Sequence, residues 1–208
     1  LSDLDQFTRP KVIIDWTRFS DSNRVAYQTA PLTESVLIAG SGHVDLWMCA
    51  GSADTAVQVT LTEVRPDGME QRLQCGWHRP IHAVEDPDHS DELRVDYTFL
   101  ESDREELVLG EWKRFRIPIH PLTHLLRVSS CLRVAVSTPG RDHPFWCFEN
   151  PIVEGATHLV GRSADHPSSL VLPIWSLELD HPDDYPPAGS LRGQPCRPAQ
   201  GIQNVSVS

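Results

Sequence analysis

Ala56-Val57-Gln58-Val59-Thr60-Leu61-Thr62-Glu63-Val64-Arg65-Pro66-Asp67-Gly68-Met69-Glu70-Gln71-Arg72-Leu73-Gln74-Cys75-Gly76-Trp77 reads as a β-hairpin. Val57, Val59 and Leu61 alternate with Gln58, Thr60 and Thr62, the period of two that gives a strand one apolar face. On the return arm the same pattern sets Met69, Leu73, Cys75 and Trp77 against Glu70, Arg72 and Gln74, so both arms are expected to lay an apolar face on one core. Pro66 presets φ for a tight turn, and Gly68 takes the backbone conformation that a Cβ would strain.

Working outward from the hairpin, short strands follow one another in both directions. Upstream, Val25 to Thr29, Val36 to Ala39 and His43 to Cys49 read as strands, the last two separated by Gly40-Ser41-Gly42. Downstream, Phe115, Ile117 and Ile119 alternate with Arg114, Arg116 and Pro118, and Leu132, Val134 and Val136 alternate with Arg133, Ala135 and Ser137. Between those two, Pro121 to Leu126 carries apolar residues at helical spacing and is expected to form a turn or two of helix. His158 to Gly161 and Ser169 to Ile174 close the series, with Pro173 placing the final strand at a sheet edge, where a missing N–H costs nothing. Eight or more short strands with almost no helix predict an all-β fold, a two-sheet sandwich of jelly-roll type.

The 208 residues carry 29 acids against 18 bases, a net charge of −11. That balance argues against a nucleic-acid partner, which requires a basic stripe. No apolar run approaches the roughly 18–20 residues that span a bilayer, and no secretion signal is evident, so no membrane role is expected. The five cysteines (Cys49, Cys75, Cys131, Cys147, Cys196) have no C-x-x-C spacing. They read as free thiols in a reducing, cytoplasmic setting, with Cys75 on the apolar face of the hairpin. The start at Leu1-Ser2-Asp3, without Met, reads as a processed end or a piece of something longer.

The search for chemistry returns little. Neither Gly40-Ser41-Gly42 nor Gly51-Ser52 has the framing glycines and following helix of a nucleophile elbow. His78 and His82, like His120 and His124, stand four apart, but no Glu completes an H-E-x-x-H motif, and His78 and His82 follow a strand, where that spacing does not converge on one ion. The acid-rich run from Glu85 to Glu92 lacks the glycine and downstream Glu of a calcium loop and reads as a solvated surface loop. Asp142 and Glu149 are a paired-carboxylate alternative for an autonomous enzyme. No catalytic, cofactor-binding or metal-ligating residue is assigned. Trp77, Phe145, Trp146 and Phe148 are the aromatics expected at an interface or facing a ligand such as a sugar.

Several segments, taken in order, resemble one family. They are Tyr27-Gln28-Thr29-Ala30-Pro31-Leu32-Thr33-Glu34, Ser52-Ala53-Asp54-Thr55, Leu61 to Gly68, Gly76-Trp77-His78-Arg79, Gly110-Glu111, Cys131-Leu132-Arg133-Val134 and His166-Pro167-Ser168-Ser169-Leu170-Val171-Leu172-Pro173-Ile174. The family is that of the cocaine-esterase and X-prolyl dipeptidyl-peptidase (CocE/NonD) hydrolases, and the part resembled is its C-terminal domain. The chain departs from that pattern at Ala56, where a second acid is usual, and at Ser129 to Arg133.

The resemblance implies a galactose-binding-like jelly roll that accompanies an α/β-hydrolase domain, in the same polypeptide or a partner chain. The Ser-Asp-His triad belongs to that other domain, so no triad residue is assigned in this chain. The jelly roll is expected to wall the substrate cleft, with dimer contacts also implied, while the whole enzyme cleaves esters or the amide after an X-Pro dipeptide. The organisation expected is an N-terminal extension or edge strand over residues 1–23, the β-sandwich over 24–179 and a Pro-rich tail over 180–208 without regular structure. The alternative is a free-standing module that binds carbohydrate or protein.

Overall fold

The computed structural model describes residues 24–139, 150–151, 153–175, 184–189 and 195–201. Five strands, β1 (Arg24–Gln28), β6 (Cys131–Ser137), β3 (Val57–Val64), β4 (Met69–His78) and β10 (Cys196–Pro198), lie in that order in one antiparallel sheet. In the second sheet β5 (Trp112–Leu126) pairs along β2 (Val36–Cys49). The other side of β2 receives β7 (Leu159–Val160), β8 (Ser169–Val171) and β9 (Ile174–Trp175) one after another. A 3-10 turn at Glu101–Asp103 is the only helical element among the described residues.

The core lies between the two sheets. Ile38, Val44, Leu46 and Met48 of β2, Val57, Val59 and Leu61 of β3, and Phe115, Ile117 and Ile119 of β5 all belong to it. Burying each such side chain contributes about 1.5–3 kcal/mol. The chain is therefore an all-β sandwich, as its alternation predicted.

The structure departs from the expectation in four respects. In the hairpin, Leu61 pairs with Gln74 but Thr62 pairs with Arg72, so Leu73 is an extra residue on β4. Such a bulge shifts the phase of one strand against its partner. Cys75 and Trp77 consequently sit opposite Thr60 and Gln58, on the face away from Val57 and Val59, while Gly76 and His78 take the core-facing positions. Cys75 is buried, but beside polar residues.

The helix expected at Pro121–Leu126 is instead the continuation of β5. Gly40 pairs with Leu122 and Gly42 with Ile119, a second bulge that places His120 and Pro121 opposite Ser41. Before it the buried positions are Phe115, Ile117 and Ile119; after it they are Leu122, His124 and Leu126. The phase change mimics helical spacing, and Pro121 falls at the irregularity, where no ladder N–H is required. The same bulge makes one long β2 of the two expected strands, with Gly40 at φ +134° inside it.

In the tail, Cys196–Pro198 forms β10 on the edge of β4, so residues 180–208 are not without regular structure. The expected N-terminal edge strand over 1–23 lies outside the described residues.

The fourth difference is burial. β3 is a central strand, and its polar row is buried along with its apolar one: Gln58 is 0% exposed, and Thr60 and Thr62 are nearly as enclosed. These groups satisfy one another. The Gln58 amide donates to Thr60 Oγ1 (3.0 Å), the Trp77 indole N–H donates to Gln58 Oε1 (2.8 Å), and Thr62 Oγ1 donates to Glu70 Oε1 (2.9 Å).

Candidate functional site

Trp77 is half-buried at the margin of the first sheet, its indole N–H committed to Gln58 and its ring 5.2 Å from that of His120. Phe145, Trp146 and Phe148, like Asp142 and Glu149, lie outside the described residues. His78 is 4% exposed and stacks on Tyr97 with ring centroids 4.0 Å apart. Burial pushes its pKa down to about 3, with the neighbouring His82 adding to the effect, so the ring is neutral at physiological pH. Among the described residues no three His, Cys, Asp or Glu side chains converge as a metal site would require.

Two buried carboxylates organise the first sheet. Glu70 accepts from Thr62 and from Arg197 Nη2 (3.1 Å) and is ion-paired with Arg133 Nη1 (3.2 Å), tying β3, β4, β6 and β10 together. Glu63, at the end of the core-facing row of β3, accepts from Ser130 Oγ (2.5 Å) and lies 2.9 Å from His124 Nε2. A serine, an acid and a histidine meet here, but the acid stands in the middle. In a catalytic triad the imidazole holds the hydroxyl and the acid holds the imidazole. In the observed order the Ser130 hydroxyl donates to a carboxylate, and His124 bonds that carboxylate and not the hydroxyl, so the imidazole is not placed as the general base of the serine.

Tyr185 completes this cluster. Its hydroxyl is 2.7 Å from Ser130 Oγ, and the guanidinium groups of Arg65 (4.6 Å) and Arg127 (5.3 Å) both lie over its ring. Arg65 also donates to the Pro186 carbonyl (2.9 Å). The C-terminal segment is thus seated on the sandwich at two points, Tyr185 and β10.

The outer face of the second sheet is polar and partly covered. Alternation along β2 turns His43, Asp45 and Trp47 away from the core. Asp45 pairs with Arg114 Nη2 (2.8 Å), which raises the Arg114 pKa further. Arg116 binds Glu85 Oε2 (2.8 Å) and the carbonyls of Asp91 (2.8 Å) and Glu92 (3.1 Å), while its own carbonyl accepts from the Tyr97 hydroxyl. His43 Nδ1 is 3.3 Å from the Leu93 carbonyl, which can only accept, so Nδ1 carries the proton. Burial, with the two arginines beyond it, lowers the His43 pKa.

These contacts lay the long β4–β5 connection over the second sheet. Within it Asp86 and Asp91 turn their carboxylates onto nearby donors. Asp86 accepts from His89 and the Asp88 N–H, and Asp91 from the N–H groups of Arg94 and Leu93, which lowers both pKa values. The acids of this run order the loop itself.

Beside it, His166 packs between Trp47 (5.1 Å, edge-on) and Trp112 (4.4 Å, stacked). In the sequence His166 opens one of the family-like segments, and neither tryptophan carries a signal of its own. Their one signal is the register that sets Trp112 opposite Cys49, next to Trp47, and it is visible only once β2 and β5 are paired. Two clefts open near this connection, of about 190 Å³ (Met48, Leu107, Phe115) and about 140 Å³ (Tyr97, Arg114, Arg116). Both are smaller than the roughly 300–1,000 Å³ of small-molecule sites.

The sequence model of the family described as the X-Pro dipeptidyl-peptidase C-terminal non-catalytic domain matches residues 2–170. Among curated proteins, none matches the chain by sequence. Among solved structures, a CocE/NonD family hydrolase from Staphylococcus aureus is similar, with TM-score 0.62 and 17% identity over 76% of this chain and 32% of its own. An α-amino acid ester hydrolase is similar at TM-score 0.61 and 20% identity, over 83% of this chain and 29% of its own. An aminopeptidase from a marine sediment Thaumarchaeota archaeon gives TM-score 0.54 and 21% identity, over 74% and 26%. The chain thus spans about a third or less of the length of these structures, and at such identities the likeness is one of fold.

Proposed function

Because the chain belongs to the family of X-Pro dipeptidyl-peptidase C-terminal non-catalytic domains, we propose that it is the accessory β-sandwich of a serine hydrolase of esterase or X-Pro dipeptidyl-peptidase type. In this reading a galactose-binding-like jelly roll over residues 24–179 walls the substrate cleft of an α/β-hydrolase domain and supports assembly, including a homodimer. The triad lies in that hydrolase domain, joined in the same polypeptide. The observation that carries the reading is the family match over residues 2–170. It is supported by the Ser130–Glu63–His124 order, which provides a buried anchor and no activated nucleophile.

The test is hydrolysis of a p-nitrophenyl ester and of an X-Pro anilide by the chain alone and by the natural polypeptide that includes a hydrolase domain. Activity confined to the longer polypeptide and abolished by a serine-directed phosphonate is the expected result. Phosphonate-sensitive activity in the chain alone, or none in either, would overturn the proposal and return the protein to the class of free-standing binding modules.

A further inference from the structure

The β4–β5 connection ends in an exposed apolar corner. Phe99 is 64% exposed, Leu100 56% and Val84 47%, and the Thr98 N–H donates to the Val84 carbonyl (3.1 Å), which holds the two stretches side by side. Phe99 has φ +51°. That region is unfavourable for a bulky L residue and is adopted only where surrounding structure imposes it. Two residues before Phe99, Tyr97 is anchored by stacking on His78 and by its bond to the Arg116 carbonyl. Beneath the corner, neither ring nitrogen of His78 nor Nδ1 of His82 has a hydrogen-bond partner among the described residues, and the His82 ring lies 6.0 Å from that of Phe99. Strain, orphaned polar atoms and exposed aromatic surface are three costs at one place, with nothing within the described chain that offsets them.

The charge around the corner is one-sided. Between Glu85 and Glu106 the sequence has ten acids and two arginines, a net −8 of the chain's −11. A second copy of this chain would set like charges against each other. A surface that offers an apolar socket rimmed by lysine and arginine would meet both features.

We propose that Val84, Phe99 and Leu100, in a connection whose residues 85–106 carry ten acids, form the seat of the α/β-hydrolase domain, which presents an apolar socket for Phe99 and a basic rim. This rests on the accessory-domain reading above and names the face that reading requires. The Phe99 ring is the anchor, and the acids set orientation and salt dependence.

Hydroxyl-radical footprinting of the natural two-domain polypeptide tests the assignment. Phe99 is expected to be labelled about tenfold more slowly than its exposure in the lone domain implies, consistent with burial of an interface anchor. Phe99→Asn, which removes the ring while keeping a residue tolerant of positive φ, is expected to raise labelling of Val84 and Leu100 by about tenfold. Val153→Asn, at an exposed apolar position elsewhere, is expected to leave them unchanged. Labelling of Phe99 at its full exposed rate, with phosphonate-sensitive hydrolysis intact, would overturn the docking face and leave the hydrolase reading standing. Protection that disappears on dilution would assign the face to a second copy and also overturn it. A polypeptide with no phosphonate-sensitive hydrolysis would remove the proposed partner and the reading together.

Discussion

Gly76 on β4 lies so close to Pro118 on β5 that a Cβ on the glycine would stand 1.6 Å from the proline carbonyl oxygen. The obstruction is backbone and cannot swing aside. The two sheets meet here at a separation that no other residue permits, and the bulge at Leu73 is what turns Gly76, in place of Cys75, toward β5. Gly76→Ala is expected to destabilise the fold by about 3 kcal/mol, the upper range for overpacking. Urea denaturation measures it, and a loss under about 0.5 kcal/mol would mean that the sheets separate freely at this point.

Acid sensitivity should trace to His78. The unfolded chain takes up a proton near pH 6.5 that the folded chain refuses until about pH 3. The unfolded state therefore binds more protons throughout that window, and stability falls as pH drops, by about 1.4 kcal/mol per unit from this one group. His78→Phe, which keeps the stack on Tyr97, should flatten the slope between pH 6 and about 4 by close to one proton. Urea midpoints at three pH values would decide it, and equal slopes in the two proteins would count against the burial argument.

Glu70 is the shared acceptor of Arg133 and Arg197. Removing its charge leaves the buried Arg133 without its carboxylate partner, which in comparable buried pairs costs about 3–5 kcal/mol. Glu70→Gln should fall near the low end of that range, because Arg133 also donates to Gln28 Oε1 (2.8 Å). Thermal unfolding read by near-UV dichroism would show the drop.

Ser130→Ala distinguishes an anchor from a nucleophile. If the chain is the accessory domain proposed above, the longer polypeptide keeps its hydrolysis unchanged while losing about 1–2 kcal/mol of stability, the cost of an orphaned acceptor on the buried Glu63. Loss of hydrolysis with stability intact would assign Ser130 a chemical role.

Arg116 holds the loop carbonyls of Asp91 and Glu92 and the Glu85 carboxylate. Arg116→Ala should speed amide exchange across residues 91–97 by about tenfold or more. The hairpin strands β3 and β4 serve as the internal reference, and uniform exchange rates in both proteins would show that the loop is held by Tyr97 alone.

Alternation along β3 and β6 and the Pro66–Gly68 turn were enough to read an all-β sandwich, because the period of two depends only on the chain's own geometry. The ordered motifs likewise carried the family. What the chain's own geometry does not contain is the offset between paired strands. At Leu73 and at His120–Pro121 one strand holds an extra residue relative to its partner, and each bulge reverses which side chains face the core beyond it. Alternation alone therefore puts Cys75 and Trp77 on the wrong face and makes a helix of Pro121–Leu126, since a phase shift within a strand looks like a turn of helix when the partner is unknown. The clusters of Glu63 with His124 and Tyr185, of Glu70 with Arg197, and of Phe99 with Val84 join residues far apart in the chain. Periodicity and composition told that this protein builds two sheets around one apolar core; tertiary pairing alone decided which polar groups were buried with it and which aromatic was held out to solvent, because both depend on register and on contacts that sequence spacing does not encode.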